Sequence, residues 1–401
     1  MKSSLFHLLA GSDAGNTRVK VSYLDHSGNI QSFSIPTVVA PANAVGDPLK
    51  KESKEISNTD RLHVYIQSKA LSGTYYYVGD FARDKKDMEQ PSGQRKSSSE
   101  LHFVAQLTAL AVAAANLGEF SITHDYAGGL PIEEYKEVGD EAFLARIRGE
   151  HVIEFLDGVH NEKKVTIDII GGLVNIEGAT TALALTNNLK DNKLIELPMS
   201  NKFDEEDHCI ADLGAGTTDI ALFESDGLNG VSSTNIELGT NSYIDAMIEE
   251  ISNIEEFKKL RQFLLDNSLE VVSPYSNREQ FLNQVIIPEV DKMLKDKKYS
   301  PKFTVSWARV RNVDVTNTVL KHMESYFKEV EKQLNVFALT KAPNVSNFFL
   351  VGGGILFAYY FFKDIEFFLL PDAEVISEAQ FFTSRAYLIA SYLEKLTLTV
   401  N

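Results

Sequence analysis

Residues 209–224 read CIADLGAGTTDIALFE. A short apolar run, Cys209-Ile210-Ala211, stops at an acid, Asp212. Gly214, Ala215, Gly216 and the hydroxyls of Thr217 and Thr218 follow, and then a second apolar run, 220–223. This is the pattern of strand, tight Gly-rich turn and strand, with an acid at the mouth of the hairpin. Small residues at a turn let backbone N–H groups approach an anion, and hydroxyls add donors. An acid beside a phosphate cradle makes sense chiefly when a divalent cation lies between them. The alternative is a plain hairpin turn, since Gly is the default turn residue.

The device recurs near the start of the chain. An apolar run, 5–10, leads into Gly11-Ser12-Asp13-Ala14-Gly15-Asn16-Thr17-Arg18, and Val19, Val21 and Tyr23 then alternate with polar residues as in a half-buried strand. Asp13-x-Gly15 followed by Thr17 echoes Asp212-x-Gly214 followed by Thr217. A duplicated hairpin implies two related lobes and weakens the plain-turn reading. Lys20 leaves the first turn where its ammonium could meet a phosphate; otherwise it is a solvated strand lysine.

At 401 residues the chain is long for a single core, so two lobes are expected. Its hydrophobic fraction of 44% and charged fraction of 24% are those of a soluble globular protein. A net charge of −17 disfavours direct binding to nucleic acid, which needs clustered Lys and Arg. It leaves room for DNA reached through a basic adaptor. The one cysteine, Cys209, excludes an internal disulfide and a cysteine-based zinc site, and fits a reducing cytoplasm. No apolar run reaches the ~18 residues of a membrane span. The apolar start of the chain reads as a first strand rather than a signal peptide.

Between these landmarks the order is α/β. Residues 35–98 read as polar turns with short strands. Residues 80–99 read as an exposed charged loop or short helix. Ser98 or Ser99 caps an Ala-rich helix over 100–117. Strands are expected at 122–129, 152–156 and 164–170, with one helix over 132–148. Glu177 follows a strand-like start and precedes an Ala/Thr/Leu helix. It is either a carboxylate able to orient a water or an acid complementing a helix dipole. Residues 190–208 read as a polar loop, and 252–304 as charged and largely helical. Residues 347–354, NFFLVGGG, are a buried strand running into Gly352, Gly353 and Gly354, a place for close approach of a flat ligand to the backbone. Neither a GxGxxG nor a GxxxxGK[ST] pattern is present.

Taken together, these pieces resemble the actin/hexokinase/heat-shock-chaperone ATPase superfamily. The first hairpin, with Lys20 seven positions after Asp13, is similar to its first phosphate motif, and 212–219 to its second. VNIEGATTALAL (174–185) and ELGTNSYIDAM (237–247) are similar to its two connecting segments, and 350–354 to its adenosine motif. Within the superfamily the chain looks most like the plasmid-segregating bacterial actins of the ParM type. The helix over 100–117, the GGLP turn at Pro131 and the segment AQFFTSRAY (379–387) carry that likeness.

The resemblance implies an actin-like (ribonuclease H-like) two-lobed α/β fold, with a nucleotide cleft between the lobes and a smaller inserted subdomain on each. Lobe I is expected over 1–178 plus 379–401, with its insert at about 35–98. Lobe II is expected over 179–378, with its insert at about 245–305. It also implies nucleotide binding, ATP or GTP, by Asp13, Gly15, Asn16, Thr17 and Lys20 on one side. On the other side stand Gly214, Ala215, Gly216, Thr217, Thr218, Gly239 and Thr240, with Gly352, Gly353 and Gly354 beneath the adenosine. Asp13 and Asp212 would hold Mg2+ through its waters. Glu177 and Asp212 would be the catalytic pair, Glu177 orienting the attacking water. The implied activity is a cytoplasmic ATPase that polymerises with itself into dynamic filaments. It would segregate plasmid DNA through a DNA-binding adaptor seated on a plasmid centromere, with no direct nucleic-acid or membrane contact. The alternative is a small-molecule, sugar-type kinase of the same fold.

Overall fold

A computed structural model describes residues 5–45, 56–71, 74–91, 94–203, 207–269, 273–275, 277–345, 347–372 and 375–400. The chain divides into two compact units, 1–201 with 381–401, and 202–380. The switch out of the first unit therefore lies at 201/202 rather than at 178/179. Residues 187–196, read as loop in part, form a hairpin of Asn187–Lys190 and Lys193–Glu196. That hairpin packs with the C-terminal helix, which belongs to the first unit.

In the first unit the duplicated-hairpin pattern becomes a three-stranded antiparallel sheet of Ala10–Ala14, Arg18–Leu24 and Ile30–Pro36. Val19, Val21 and Tyr23 are buried, as their alternation requires. A seven-stranded sheet lies in the same unit, in the order Phe6–Leu8, Ser121–Leu130, Lys164–Ile176, Gly149–Phe155, Leu62–Gln67, Tyr75–Val78, Val39–Pro41. Residues 35–98 thus supply three strands to the main sheet of the unit. Val39, Leu62, Val64, Ile66 and Val78 share one core with the helix Glu100–Asn116.

That helix is buried on every face over 102–115, because Ala at so many positions lets sheets approach on more than one side. Ser99 caps it, its hydroxyl accepting from the His102 N–H. The single helix expected over 132–148 is two, Ile132–Val138 and Asp140–Ile147, parted at Gly139 with φ 71°. The C-terminal helix Phe382–Val400 lies on Ala10–Ala14 and Arg18–Leu24. There the Ser384 and Ser22 hydroxyls meet at 2.8 Å.

The second unit is built on a sheet in the order Gly227–Leu228, Thr218–Glu224, His208–Leu213, Phe348–Val351, Phe368–Leu369, with Thr234–Ile236 also paired to Thr218–Glu224. Asn241–Ser252 packs on the long helix Thr316–Lys341. Tyr326 and Phe327 of the long helix join Phe357, Phe362 and Phe368 in an aromatic cluster. Between them the chain forms Glu255–Asp266, Arg278–Phe281, Ile287–Lys295 and the hairpin Thr304–Trp307/Val310–Asp314. Among the described residues no helix is long and apolar enough to cross a membrane.

Candidate functional site

Each unit carries one of the two hairpins. In the first, Asp13 stands opposite Lys20, and Gly15 N–H closes the turn on the Arg18 carbonyl at 3.0 Å. The turn is braced from outside. Thr37 N–H donates to the Thr17 carbonyl at 2.9 Å, and its hydroxyl donates to the Gly15 carbonyl at 2.7 Å. Asn16 sits exposed at the tip, with its side-chain oxygen 3.0 Å from His102 Nε2.

Below the turn lies a chain of alternating charges. Lys20 Nζ is 3.1 Å from Asp13 Oδ2, Lys96 Nζ is 4.0 Å from Asp13 Oδ1, and Lys96 also binds Glu177 Oε1. Burial alone would raise the Asp13 carboxyl, but the two ammonium groups outweigh it and hold it below the usual carboxylate range. Under the cluster, Gln106 donates to the Ser12 hydroxyl at 2.7 Å and reaches the Tyr126 hydroxyl at 3.4 Å. Burial pushes the Tyr126 phenol up to about 12.

Glu177 does not open a helix. It follows the last residue of the strand Lys164–Ile176, and its N–H donates to the Leu130 carbonyl at 3.0 Å. The next helix, Ala182–Thr186, starts five residues on and is one turn long, too short and too distant for the dipole reading. The carboxylate is instead held at the strand's C-terminal end against Lys96.

His102 is driven down to about 4, first by burial and then by Lys96 nearby. His124, fully buried with Nδ1 3.0 Å from the Leu8 carbonyl, falls to about 4 by burial as well. Between that value and the ordinary 6.5, the unfolded chain binds protons at both positions that the folded chain refuses. Their contribution is therefore full above pH 6.5 and is lost as pH falls from 6.5 toward 4. The urea midpoint is expected to be lower at about pH 5 than at about pH 7.5; equal midpoints would contradict it.

The second hairpin repeats the first. Gly214 N–H closes on the Thr217 carbonyl at 2.9 Å, and Asp212 faces Asp219 where Asp13 faces Lys20. This register equates Thr17 with Gly216, so the two threonines that echo in the sequence are offset by one position. Thr218 is fully buried and its hydroxyl donates to the Leu238 carbonyl at 2.7 Å. That bond commits it to holding the connecting segment. Thr240 N–H reaches the Gly214 carbonyl at 3.4 Å and Asn241 N–H the Ala215 carbonyl at 2.9 Å. The start of Asn241–Ser252 is thereby sewn to the turn. A side chain on Gly239 would strike the Ala215 carbonyl, its Cβ at 2.3 Å.

Strand Phe348–Val351 runs parallel beside His208–Leu213, Val351 against Asp212. Gly352 then turns with φ 88°, and a Cβ there would lie 2.3 Å from Asp212 Oδ1. Both counts demand glycine. Gly353 and Gly354 open the helix Gly353–Phe357, with Gly354 packed against the buried Tyr326 hydroxyl. A cavity of about 330 Å³ lies in the same unit, lined by Ile236, Glu237, Leu238, Gly239, Ser242, Tyr243, Glu329 and Gln333.

The structure thus gathers Asp13, Lys20 and Glu177 in the first unit. In the second it gathers Asp212, the 214–217 turn, Gly239 and Gly352. The sequence reading missed Lys96, His102, Gln106 and Tyr126. Lys96 fell in a stretch read as exposed loop; the one local signal was its place three residues before the Ser99 cap of a buried helix. Among the described residues no group of three or more His, Cys, Asp or Glu could hold a metal ion.

A family model described as "Actin like proteins N terminal domain" matches residues 11–171. Among solved structures, Bacillus thuringiensis ParM in apo form is 36% identical, covering 98% of this chain and 98% of that chain, at a TM-score of 0.74. The same protein with ATP is 36% identical, covering 97% of this chain and 99% of that chain, at a TM-score of 0.81. The actin-like protein Alp7A is 17% identical over 98% of this chain and 97% of that chain, at 0.70, and shows the fold alone. No curated protein sequence matches. With 36% identity sustained over nearly the whole length of both chains, this chain belongs to the ParM-type family of bacterial actin-like proteins.

Proposed function

We propose that this protein is an ATPase that assembles with itself into dynamic filaments in the cytoplasm and segregates plasmid DNA through a DNA-binding adaptor. The observation that carries the nucleotide reading is the repeated hairpin: the same Gly N–H closure beside an acid, once in each unit. Solved structures of Bacillus thuringiensis ParM with ATP, AMPPNP and ADP support it, at 36% identity.

In this reading each turn offers backbone N–H groups to phosphate oxygens. Asn16 and Thr17 stand at the tip of the first turn and Ala215 and Gly216 at the tip of the second, and Lys20 neutralises phosphate charge. Thr218 and Thr240 act from behind, fixing the second turn. Gly352 to Gly354 let the adenosine lie against backbone, with the 330 Å³ cavity beside Gly239 as the place for its nucleoside part.

Mg2+ fits the donor set. Asp212 is an oxygen donor whose head a side chain at residue 352 would displace, and the ammonium groups of Lys20 and Lys96 hold Asp13 below the usual carboxylate range. With no cage of three protein ligands among the described residues, the cation would rest on phosphate oxygens and waters, as Mg2+ prefers. When bound, it would neutralise charge on the transferring phosphate. Glu177 orients the attacking water and accepts its proton. Loss of the γ-phosphate removes contacts to the turns and destabilises older filament subunits.

The acidic surface suits a basic adaptor rather than DNA itself. The small-molecule kinase alternative is not favoured, since the relatives at 36% identity are ParM. Light scattering and pelleting test the assignment. With ATP and Mg2+ the signal is expected to rise and then decay as ATP is consumed, and to stay low with ADP. A protein that remains monomeric with ATP yet phosphorylates a sugar would overturn it.

A further inference from the structure

We propose that Lys96 is a positioning residue for Glu177, holding the carboxylate aimed for hydrolysis and acting through it rather than on the nucleotide. This rests on the reading of Glu177 as the water-orienting group.

The geometry carries the assignment. The Lys96 and Glu177 side chains are each 12% exposed, and Asp13 is 9% exposed. Little water is left to orient these groups, so each takes its direction from its neighbours. Lys20, Asp13, Lys96 and Glu177 alternate in sign, and Lys96 is the member that touches both acids. Glutamate has a flexible stem, and a carboxylate at a strand end is aimed only if something engages its head.

The backbone that carries Lys96 is anchored on both sides of it. Glu134 accepts from the Lys96 N–H at 3.1 Å and from the Ser97 N–H at 3.0 Å. Arg146 donates to the carbonyls of Ser97 and Ser98. Ser99 then caps the buried helix. Five consecutive residues are tied down, with Arg95 bound to Glu137 at the near end. An ordinary surface lysine has no such anchorage.

A lysine that bound phosphate directly would set nucleotide affinity. A lysine present only for stability would alter melting and nothing else. Positioning predicts a third pattern, in which turnover falls while affinity stays. The test compares Lys96→Met, Lys96→Arg, Glu177→Gln and the Lys96→Met/Glu177→Gln pair. Phosphate release is measured at saturating ATP and Mg2+, and affinity with a fluorescent ATP analogue.

Lys96→Met is expected to lower kcat about 100-fold, with affinity within about threefold of the parent. Lys96→Arg is expected to restore much of the loss. The pair is expected to be no slower than Glu177→Gln alone, because both changes remove one function. Normal turnover in Lys96→Met beside a slow Glu177→Gln overturns this inference and spares the reading of Glu177. Normal turnover in Glu177→Gln overturns both. Lost affinity with unchanged kcat, or additive losses in the pair, assigns Lys96 to the phosphate and overturns positioning. If Lys96→Met fails to fold, Lys96→Arg and Lys96→Gln carry the same comparison: equal turnover in those two overturns it.

Discussion

Asp212→Ala is expected to cut phosphate release at saturating ATP by at least about 100-fold while the protein stays folded. The residue lies one position before the end of the strand His208–Leu213, between Asp219 on one side and Val351 on the other. The strand pairing is backbone to backbone, so truncating the side chain leaves it intact. What the change removes is the one carboxylate against which Gly352 has been cleared of side-chain atoms. An interaction strengthened as charge develops on the transferring phosphate lowers the barrier, and its loss appears in kcat before it appears in affinity. A colorimetric phosphate assay read beside a thermal melt separates the two. Unchanged release with a normal melt would take Asp212 out of the site, and a collapsed melt would make it a structural acid. Gly352→Ala approaches the same carboxylate from the other side: its Cβ would displace the Asp212 head and force an L residue to φ 88°.

How much of this was legible beforehand follows from the range of the interactions. The hairpins were readable because acid, glycine and flanking apolar runs are neighbours in the chain and a tight turn is a local object. The buried helix over 100–117 announced itself through its Ala content and its Ser cap. The strands inside 35–98 were read as a separate insert because they are short, and the turn-rich sequence around them hides what they pair with. Leu62–Gln67 pairs with Gly149–Phe155, a non-local contact that no local period records. The setting of Glu177 was left open between two readings for the same reason. Its partner Lys96 lies 81 residues away, and the apolar stretch after Glu177 promised a longer helix than forms. Thr218 shows a commitment of the same kind: a hydroxyl in a phosphate motif invites a ligand role, and only the structure shows its proton donated to the Leu238 carbonyl. Chemistry-bearing residue types were thus visible, and their commitments were not.

Gly11 carries the second large expected effect, on stability. Every residue of Ala10–Ala14 is buried, and the first turns of Phe382–Val400 lie directly on that strand. A Cβ on Gly11 would sit 2.2 Å from the Ser384 carbonyl oxygen and 2.4 Å from the Leu388 nitrogen. Both are backbone atoms of a helix, so neither can rotate away, and the whole helix must lift. Lifting it pulls Phe382, Ala386, Tyr387 and Leu388, all buried to within 0%, off their packing and breaks the Ser22–Ser384 contact. Gly11→Ala is therefore expected to cost about 2–3 kcal/mol, and Gly11→Val more, in the upper range of overpacking. At roughly 2–4 °C per kcal/mol this is a drop of about 4–12 °C in the melting midpoint for the alanine variant. Gly118→Ala is the matched comparison in the same unit. Its φ is also unfavourable, 75°, but nothing lies within 4 Å of the added carbon, so it costs only about 1 kcal/mol of backbone strain. If close approach is what Gly11 provides, the ordering Gly11→Val, Gly11→Ala, Gly118→Ala holds from most to least destabilised. Gly11→Ala melting with the parent would show that the helix can lift without penalty. Because Asp13 lies two residues along the same strand, weaker nucleotide binding should accompany the loss of stability in the Gly11 variants and be absent in Gly118→Ala.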